Sequence, residues 1–353
     1  MNLELLGWKS NLNEEFKEYR DKGYSIGRIS LEYKNIYRVI TENGELLGEV
    51  SGKYIHNTTE RSQFPAVGDW VIISERLDEK KATIHKILPR FSKFSRKSAG
   101  EVTEEQIVAT NIDTVFLVMG LNNDFNLRRI ERYLITAWDS GANPVIVLSK
   151  CDLCKDVATK ITEVEAVALG VSVHAISATN NIGMDSLNQY LSKGQTVALL
   201  GSSGAGKSTI CNKLLGHNKQ QVKEVREGDD KGKHTTTHRE LIQIPNGGIL
   251  IDTPGMRELQ LWEVDNSMSQ SFSDIEEMSK KCLFKNCKHE NEPSCKVKLA
   301  IEEGFLDKDR YNNYIKFQKE LAYLERKNNK RSQLAEKEKW KNIGGDRTRF
   351  NRK

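Results

Sequence analysis

The chain has 353 residues, 37% of them hydrophobic and 29% charged, which is enough for a real core and long enough for two or three domains. No window approaches the roughly 18–20 apolar residues of a membrane span. The opening MNLELLGWKSNLNEEF is acidic, so a cytoplasmic protein with no membrane partner is expected. The net charge of +5 is unevenly placed: Lys316–Lys353 carries 13 Lys or Arg against 5 Asp or Glu, a local +8 that leaves −3 for the rest. Such a tail is either a solvated helical face or an arm for nucleic-acid phosphates.

After a helix-like opening, NEEFKEYRDKG, read as an N-terminal appendage, the stretch from about Tyr24 to Lys93 carries five short strand-like runs: SIGRISLEY, YRVITE, LLGEVSG, DWVIIS and ATIHKIL. Turn residues separate them, which predicts a small closed or partly open barrel, of which the oligonucleotide-binding type is one candidate. From about Asn111 the texture changes to continuous apolar runs, TVFLVM, NPVIVLSK, VSVHAIS, QTVALLG and GGILIDTPG. Helix-like NLRRIERYLITAWDSG and DVATKITEVEAVALG, each ending in glycine, alternate with them. Buried strands alternating with amphipathic helices predict a largely parallel sheet with ligands at its carboxyl edge. Beyond about Leu261 the β pattern stops, and a Cys/His-rich stretch leads into a charged helical segment and a polar tail. The expected domains are residues 1–95, 100–262 and 263–353.

GSSGAGKST, residues 201–209, fits G-x-x-x-x-G-K-[ST] between the strand QTVALL and the helix-like TICNKLL. The residues Gly201, Ser202, Ser203, Gly204, Ala205, Gly206, Lys207, Ser208 and Thr209 would form a phosphate loop. In it, amides cradle the phosphates, Lys207 reaches the β and γ groups, and Ser208 holds magnesium. KGKHTTTHREL supplies Thr236 as a candidate sensor of the γ-phosphate and its metal. IDTPG supplies Asp252 for the metal's water shell and the Gly255 amide for the γ-phosphate. LSKCDL presents Ser149, Lys150, Cys151 and Asp152 as a base-reading loop of N-K-x-D type with serine in place of asparagine. A carboxylate at Asp152 can accept from both N1–H and the 2-amino group of guanine, which adenine cannot offer, so GTP is the expected substrate. Ser177 and Ala178, in SAT, match the remaining guanine signature.

A GTPase ordinarily reads phosphate loop, threonine switch, D-x-x-G, N-K-x-D, S-A-x. Here SKCD and SAT come first, so the order is circularly permuted. Met256 stands where many GTPases place a water-orienting glutamine, and slow intrinsic hydrolysis is expected; His234 or His238 is a candidate substitute. In CLFKNCKHENEPSC, Cys282, Cys287, His289 and Cys295 stand five, two and six residues apart, a closed tetrahedral set for one structural zinc. Cys151 and Cys154 also form C-x-x-C, but Cys151 lies inside the base-reading loop and a redox or metal role is not expected there.

These motifs, in this order and over nearly the whole chain, resemble the ribosome small-subunit-dependent GTPases called RsgA. The resemblance implies a multi-domain protein: an oligonucleotide-binding-type barrel, a circularly permuted α/β P-loop GTPase domain, and a C-terminal zinc-binding and helical domain. It implies hydrolysis of GTP with magnesium, stimulated by the small ribosomal subunit, late in that subunit's maturation, with contacts to its rRNA. A monomer is expected. The competing readings are a GTP-binding regulator of a protein partner and an ATP-using P-loop enzyme.

Overall fold

A computed structural model describes residues 2–33, 36–97, 105–216, 239–245, 247–252, 272–284, 287–289 and 292–319. The chain divides into two compact units, Met1–Leu261 and Trp262–Lys353.

In the first unit, β1 (Ser25–Glu32), β2 (Ile36–Thr41), β3 (Gly44–Val50), β4 (Trp70–Arg76) and β5 (Lys81–Ile87) coincide with the five expected runs. β1 pairs antiparallel with β2 and β4, β2 with β3, and β5 with β4, while β3 runs parallel to β5. The sheet therefore closes in the order 1-2-3-5-4-1, which removes its free edges. Ile29, Val39, Val71, Ile73 and Ile84 fill the interior. Alternation sends Ile26, Trp70 and Ile72 to the outside, where they would meet water. Helix α1 (Leu12–Arg20) covers them with Leu12 and Phe16, one turn apart, together with Leu6. The opening helix is thus a wall of the barrel's outer core and not the appendage its polar sequence suggests.

The short helix α2 (Gly52–Asn57) lies between β3 and β4, and the hairpin β6 (Lys93–Lys97) and β7 (Glu105–Thr110) follows the barrel. The central sheet has the order β10-β9-β8-β11-β13-β12, formed by β8 (Thr114–Gly120), β9 (Asn143–Ser149), β10 (Val173–Ala175), β11 (Thr196–Gly201), β12 (Glu240–Gln243) and β13 (Ile249–Asp252). All are parallel except β12. Val115, Leu117 and Met119 of β8 face one core, while Phe116 and Val118 face the other. Helices α3 (Leu127–Ser140) and α4 (Val157–Val167) cover the first core through Ile130, Leu134 and Val164. The 3₁₀ segment Met184–Tyr190 and α5 (Lys207–Leu215) cover the second through Leu187 and Ile210. Burial on both faces is why these strands read as unbroken apolar runs. α3 ends on Gly141 at φ +83°, as its sequence suggests; α4 ends on Ala168, two residues before Gly170.

Chain order carries β8, β9 and β10 outward to one side, then returns to β11 on the other side of β8. The strand order reverses there, and the crevice between the carboxyl ends of β8 and β11 is where a ligand binds in such a sheet. Arg28, on β1, ties the barrel to this sheet. It is 1% exposed and donates to Leu6 O (2.5 Å), Gly68 O (3.2 Å), Asn111 O (3.0 Å) and Thr196 Oγ1 at the start of β11 (3.0 Å). β1 also meets β12, at Leu31 and Glu240.

Among its described residues the second unit is helical: α6 (Ser273–Lys280), α7 (Lys296–Glu302) and residues 308–319. Phe272, Ile275, Val297, Leu306, Tyr314 and Phe317 form its small core, and Arg310 grips Asp274 at 2.9 Å.

Candidate functional site: a phosphate loop, a base-reading loop and a Cys/His cluster

The stretch 201–209 lies at the turn from β11 into α5, at the reversal of strand order. Two of its glycines are required by backbone shape: Gly204 and Gly206 sit at φ +77° and +91°, the left-handed region that other residues avoid. Gly201 is required by proximity, since a Cβ there would come within 2.3 Å of Val118 O on β8. Lys207 Nζ donates to the carbonyls of Gly201 (2.8 Å) and Ser202 (2.6 Å), folding the lysine back across the loop. Ser208 and Thr209 begin α5, whose N-terminus faces the crevice with its first amides unsatisfied by the helix itself. Asp252 ends β13, the strand paired with β11.

The base-reading stretch leaves β9 at Ser149. Lys150 adopts φ +59°, a strained conformation for a non-glycine residue, and Cys151–Leu153 forms a 3₁₀ turn that exposes Asp152. The Cys151 amide donates to Ile176 O at 3.1 Å, which brings SKCD against SAT. Ser177 is buried and bonded in both directions to Ile182, and Ala178 is buried beside it. Burial, then the Asp152 carboxylate, pushes the Cys151 thiol above its ordinary value, which suits a packed thiol and not a reactive one.

Ser149 joins the two loops. Only 2% exposed, it donates through Oγ to Ala205 O at 2.6 Å, inside the phosphate loop. The sequence reading treats Ser149 as a shortened base contact and misses this tie.

It also misses the loop 121–126, LNNDFN, which follows β8. The Leu121 amide donates to Ser149 O at 2.8 Å, and Asp124 accepts from Ser202 Oγ and from Arg129 Nη1, the latter at 2.6 Å. A polar run directly after a fully buried strand, on the ligand side of the sheet, was the available signal. His234, Thr236 and Gly255, with Met256 and His238, lie outside the described residues.

In the second unit, the ligand atoms of Cys282, Cys287, His289 and Cys295 all lie within 4.8 Å of one another. Cys282 Sγ is 4.0 Å from Cys295 Sγ and 3.7 Å from His289 Nδ1, which is 3.3 Å from Cys295 Sγ. Ligands at ~2.3 Å from a tetrahedral zinc stand ~3.8 Å apart, so the set fits that ion. His289 Nε2 meets Ser279 Oγ at 3.1 Å, the kind of outer contact that fixes a ligating ring. Burial lowers the His289 pKa, with Glu292 opposing, which favours the neutral ring a metal would need. Burial raises the Cys282 pKa, but the amides of Lys296 and Val297 at the start of α7, with Cys295 and Cys287, outweigh it and favour thiolate.

A family model described as RsgA GTPase matches residues 87–262, and one described as a 50S ribosome-binding GTPase matches residues 196–330. The second match starts at β11, where an unpermuted GTPase would begin. Small ribosomal subunit biogenesis GTPase RsgA 1 of Oceanobacillus iheyensis is 44% identical over 94% of this chain and 97% of its own length. The small ribosomal subunit biogenesis GTPase RsgA of Opitutus terrae is 42% identical over 97% and 96%. Among solved structures, YjeQ from Thermotoga maritima aligns with a TM-score of 0.63 at 26% identity, covering 85% of this chain and 99% of that one. YloQ, described as a circularly permuted GTPase, gives a TM-score of 0.60 at 24% identity over 85% and 95%, a likeness of fold.

Proposed function

The chain belongs to the RsgA family of circularly permuted GTPases, and we propose that it hydrolyses GTP at the carboxyl edge of the central sheet while acting in biogenesis of the small ribosomal subunit. The observation that carries this reading is the Ser149 Oγ bond to Ala205 O, which binds a guanine-type loop to a phosphate loop at the reversal of strand order between β8 and β11.

Each residue then has a task. Amides of Gly204 to Lys207 and the α5 N-terminus receive the phosphates, and Lys207 exchanges its loop carbonyls for β and γ oxygens. Ser208 and Asp252, with Thr236, would hold magnesium, which when bound neutralises charge on those oxygens. Asp152 selects guanine, the Lys150 stem lies over the base plane, and Ser177 and Ala178 close the base side. Gly255 is assigned to the γ-phosphate and His234 to the attacking water, because Met256 cannot orient it. Cys282, Cys287, His289 and Cys295 hold one zinc that shapes the C-terminal unit. The protein acts as a monomer and reaches rRNA through its barrel, its C-terminal unit and the +8 tail from Lys316 to Lys353. No helix among the described residues is long and apolar enough to cross a membrane.

GTP and ATP hydrolysis should be measured alone, with small subunits and with large subunits, using Lys207→Ala as the blank. The expected result is slow basal turnover and GTP-selective stimulation by small subunits, reaching as much as ~10³-fold, within the range that completing partners give. Stimulation by large subunits alone, the partner suggested by the broader family description, would replace the small-subunit reading. Stimulation by neither would send the search to a protein partner.

A further inference from the structure

The phosphate loop is held at two points. One is the Ser149–Ala205 bond. The other is Ser202, and it depends on a residue outside every nucleotide signature in the chain. Ser202 Oγ donates to Asp124 Oδ2, while Ser202 O accepts from Lys207 Nζ and from the Ala205 amide at 3.4 Å. Side chain and carbonyl of one residue are thus fixed from opposite directions.

Asp124 can serve as a fixed anchor because its own loop is tied on both flanks. Leu121 is buried and its amide is bonded to Ser149 O. The Phe125 amide donates to Asn122 O at 3.0 Å, its ring packs on the core, and Lys160 Nζ stands 4.8 Å over it. Asn126 then caps α3, its Oδ1 accepting from the Arg129 amide at 3.1 Å. The cap fixes Arg129 on the first turn, and Arg129 Nη1 reaches Asp124 Oδ1 at 2.6 Å.

This last pairing settles the charge problem. A carboxylate bonded to a phosphate loop repels the ligand that loop is built to receive, unless a cation stands against it. Arg129 supplies that cation on the far oxygen, leaving Oδ2 to accept from Ser202. We infer that Asp124, neutralised by Arg129, is a positioning residue that sets the phosphate loop in its binding shape through Ser202. This rests on the reading of residues 201–209 as the phosphate site. The loop serves substrate and product alike, so losing the anchor should weaken binding in the ground and transition states equally, raising KM with kcat unchanged.

The test is a double-mutant cycle in the full-length protein, using Asp124→Ala, Ser202→Ala and the pair, with Asp124→Asn as the conservative variant. Kd for GDP, KM and kcat for GTP, and thermal unfolding are read for each. Each single alanine variant is expected to raise Kd and KM roughly tenfold, the size of one charge-assisted hydrogen bond, with kcat within about twofold. The pair should be no worse than either single variant, since both remove one interaction. Asp124→Asn, whose amide oxygen still accepts from Ser202, should recover most of the affinity. Additive effects in the pair, or unchanged Kd and KM with only a lower melting temperature, would overturn the inference. Lys207→Ala separates the two levels. If it leaves GDP binding intact, the phosphate-site reading itself fails; if it abolishes binding while Asp124 and Ser202 variants bind normally, only the positioning role does.

Discussion

The phosphate loop and the Cys/His cluster each gather their ligating groups within a dozen or so residues, yet they are held in place by different means. The loop is set by protein groups from neighbouring strands and from the loop after β8: Ser149 on Ala205, Asp124 on Ser202, Val118 against Gly201. The cluster's outer ties, Ser279 to the His289 ring and the amides at the start of α7 to Cys282 and Cys295, come from its own unit with a small core, where three cysteines and an imidazole face one another. A site of the first kind exists before its ligand arrives. A site of the second kind is made by its ligand, because several thiolates cannot stay close without a cation to neutralise them.

The sharpest way to break that comparison is to withhold the zinc proposed for the cluster. Structural zinc sites contribute on the order of 10 kcal/mol to folding, more than a unit of this size gains from its core. A strong chelator is expected to unfold the helical C-terminal unit while leaving the barrel and central sheet folded. Limited proteolysis with mass mapping checks it, and Cys295→Ser should reproduce the effect without chelator. Cleavage spread evenly through both units would show that the first unit also depends on the ion.

The next effect concerns how the first unit is held. Arg28 satisfies three carbonyls and the Thr196 hydroxyl from one buried guanidinium, whose pKa burial lowers to about 10 against the pull of Asp113 and Asp69. Desolvation wins that contest, so the ion is costly to keep, and its worth lies in the acceptors it satisfies. Arg28→Met takes the donor from Leu6 O, Asn111 O and the Thr196 hydroxyl, while Gly68 O keeps its bond from Asn111 Nδ2, which should cost about 3 kcal/mol and lower the melting temperature of the first unit by roughly 6–12 °C. Arg28→Lys should recover less than half, since one ammonium cannot reach four acceptors in a plane. Thermal unfolding followed by circular dichroism reads both.

The two regions were also unequally legible in the sequence. The cluster was readable because its ligands sit within fourteen residues, and the glycines of 201–209 because backbone shape and close approach leave no alternative residue. The barrel and central strands followed from alternation and from unbroken apolar runs. What stayed hidden was contact between distant segments. Asp124 and Ser202 are 78 positions apart, and Ser149 and Ala205 are 56 apart, so no local pattern announces either pair. The β6–β7 hairpin and β12 were missed because β6 and β12 are short and largely polar and β7, EQIVAT, holds only three apolar residues. The role of α1 as a cover was missed because only two of its nine residues are buried.

The smallest expected effect tests whether serine at 149 is a loss or an exchange. Read from the base-reading motif alone, serine in place of asparagine is a deficit, and Ser149→Ala should then change little. The geometry argues otherwise: Ser149 Oγ is the donor to Ala205 O, and its removal takes that donor from a buried carbonyl. Losing one such bond is worth about 1 kcal/mol, or roughly a fivefold rise in Kd for both GDP and GTP. Because Ser149 and Asp124 hold different shoulders of the loop, Ser149→Ala and Asp124→Ala should add nearly in full, unlike Asp124→Ala and Ser202→Ala. Titration of a fluorescent GDP analogue into the single and paired variants measures both quantities. If Ser149→Ala binds like the parent protein, the loop is held at Ser202 alone.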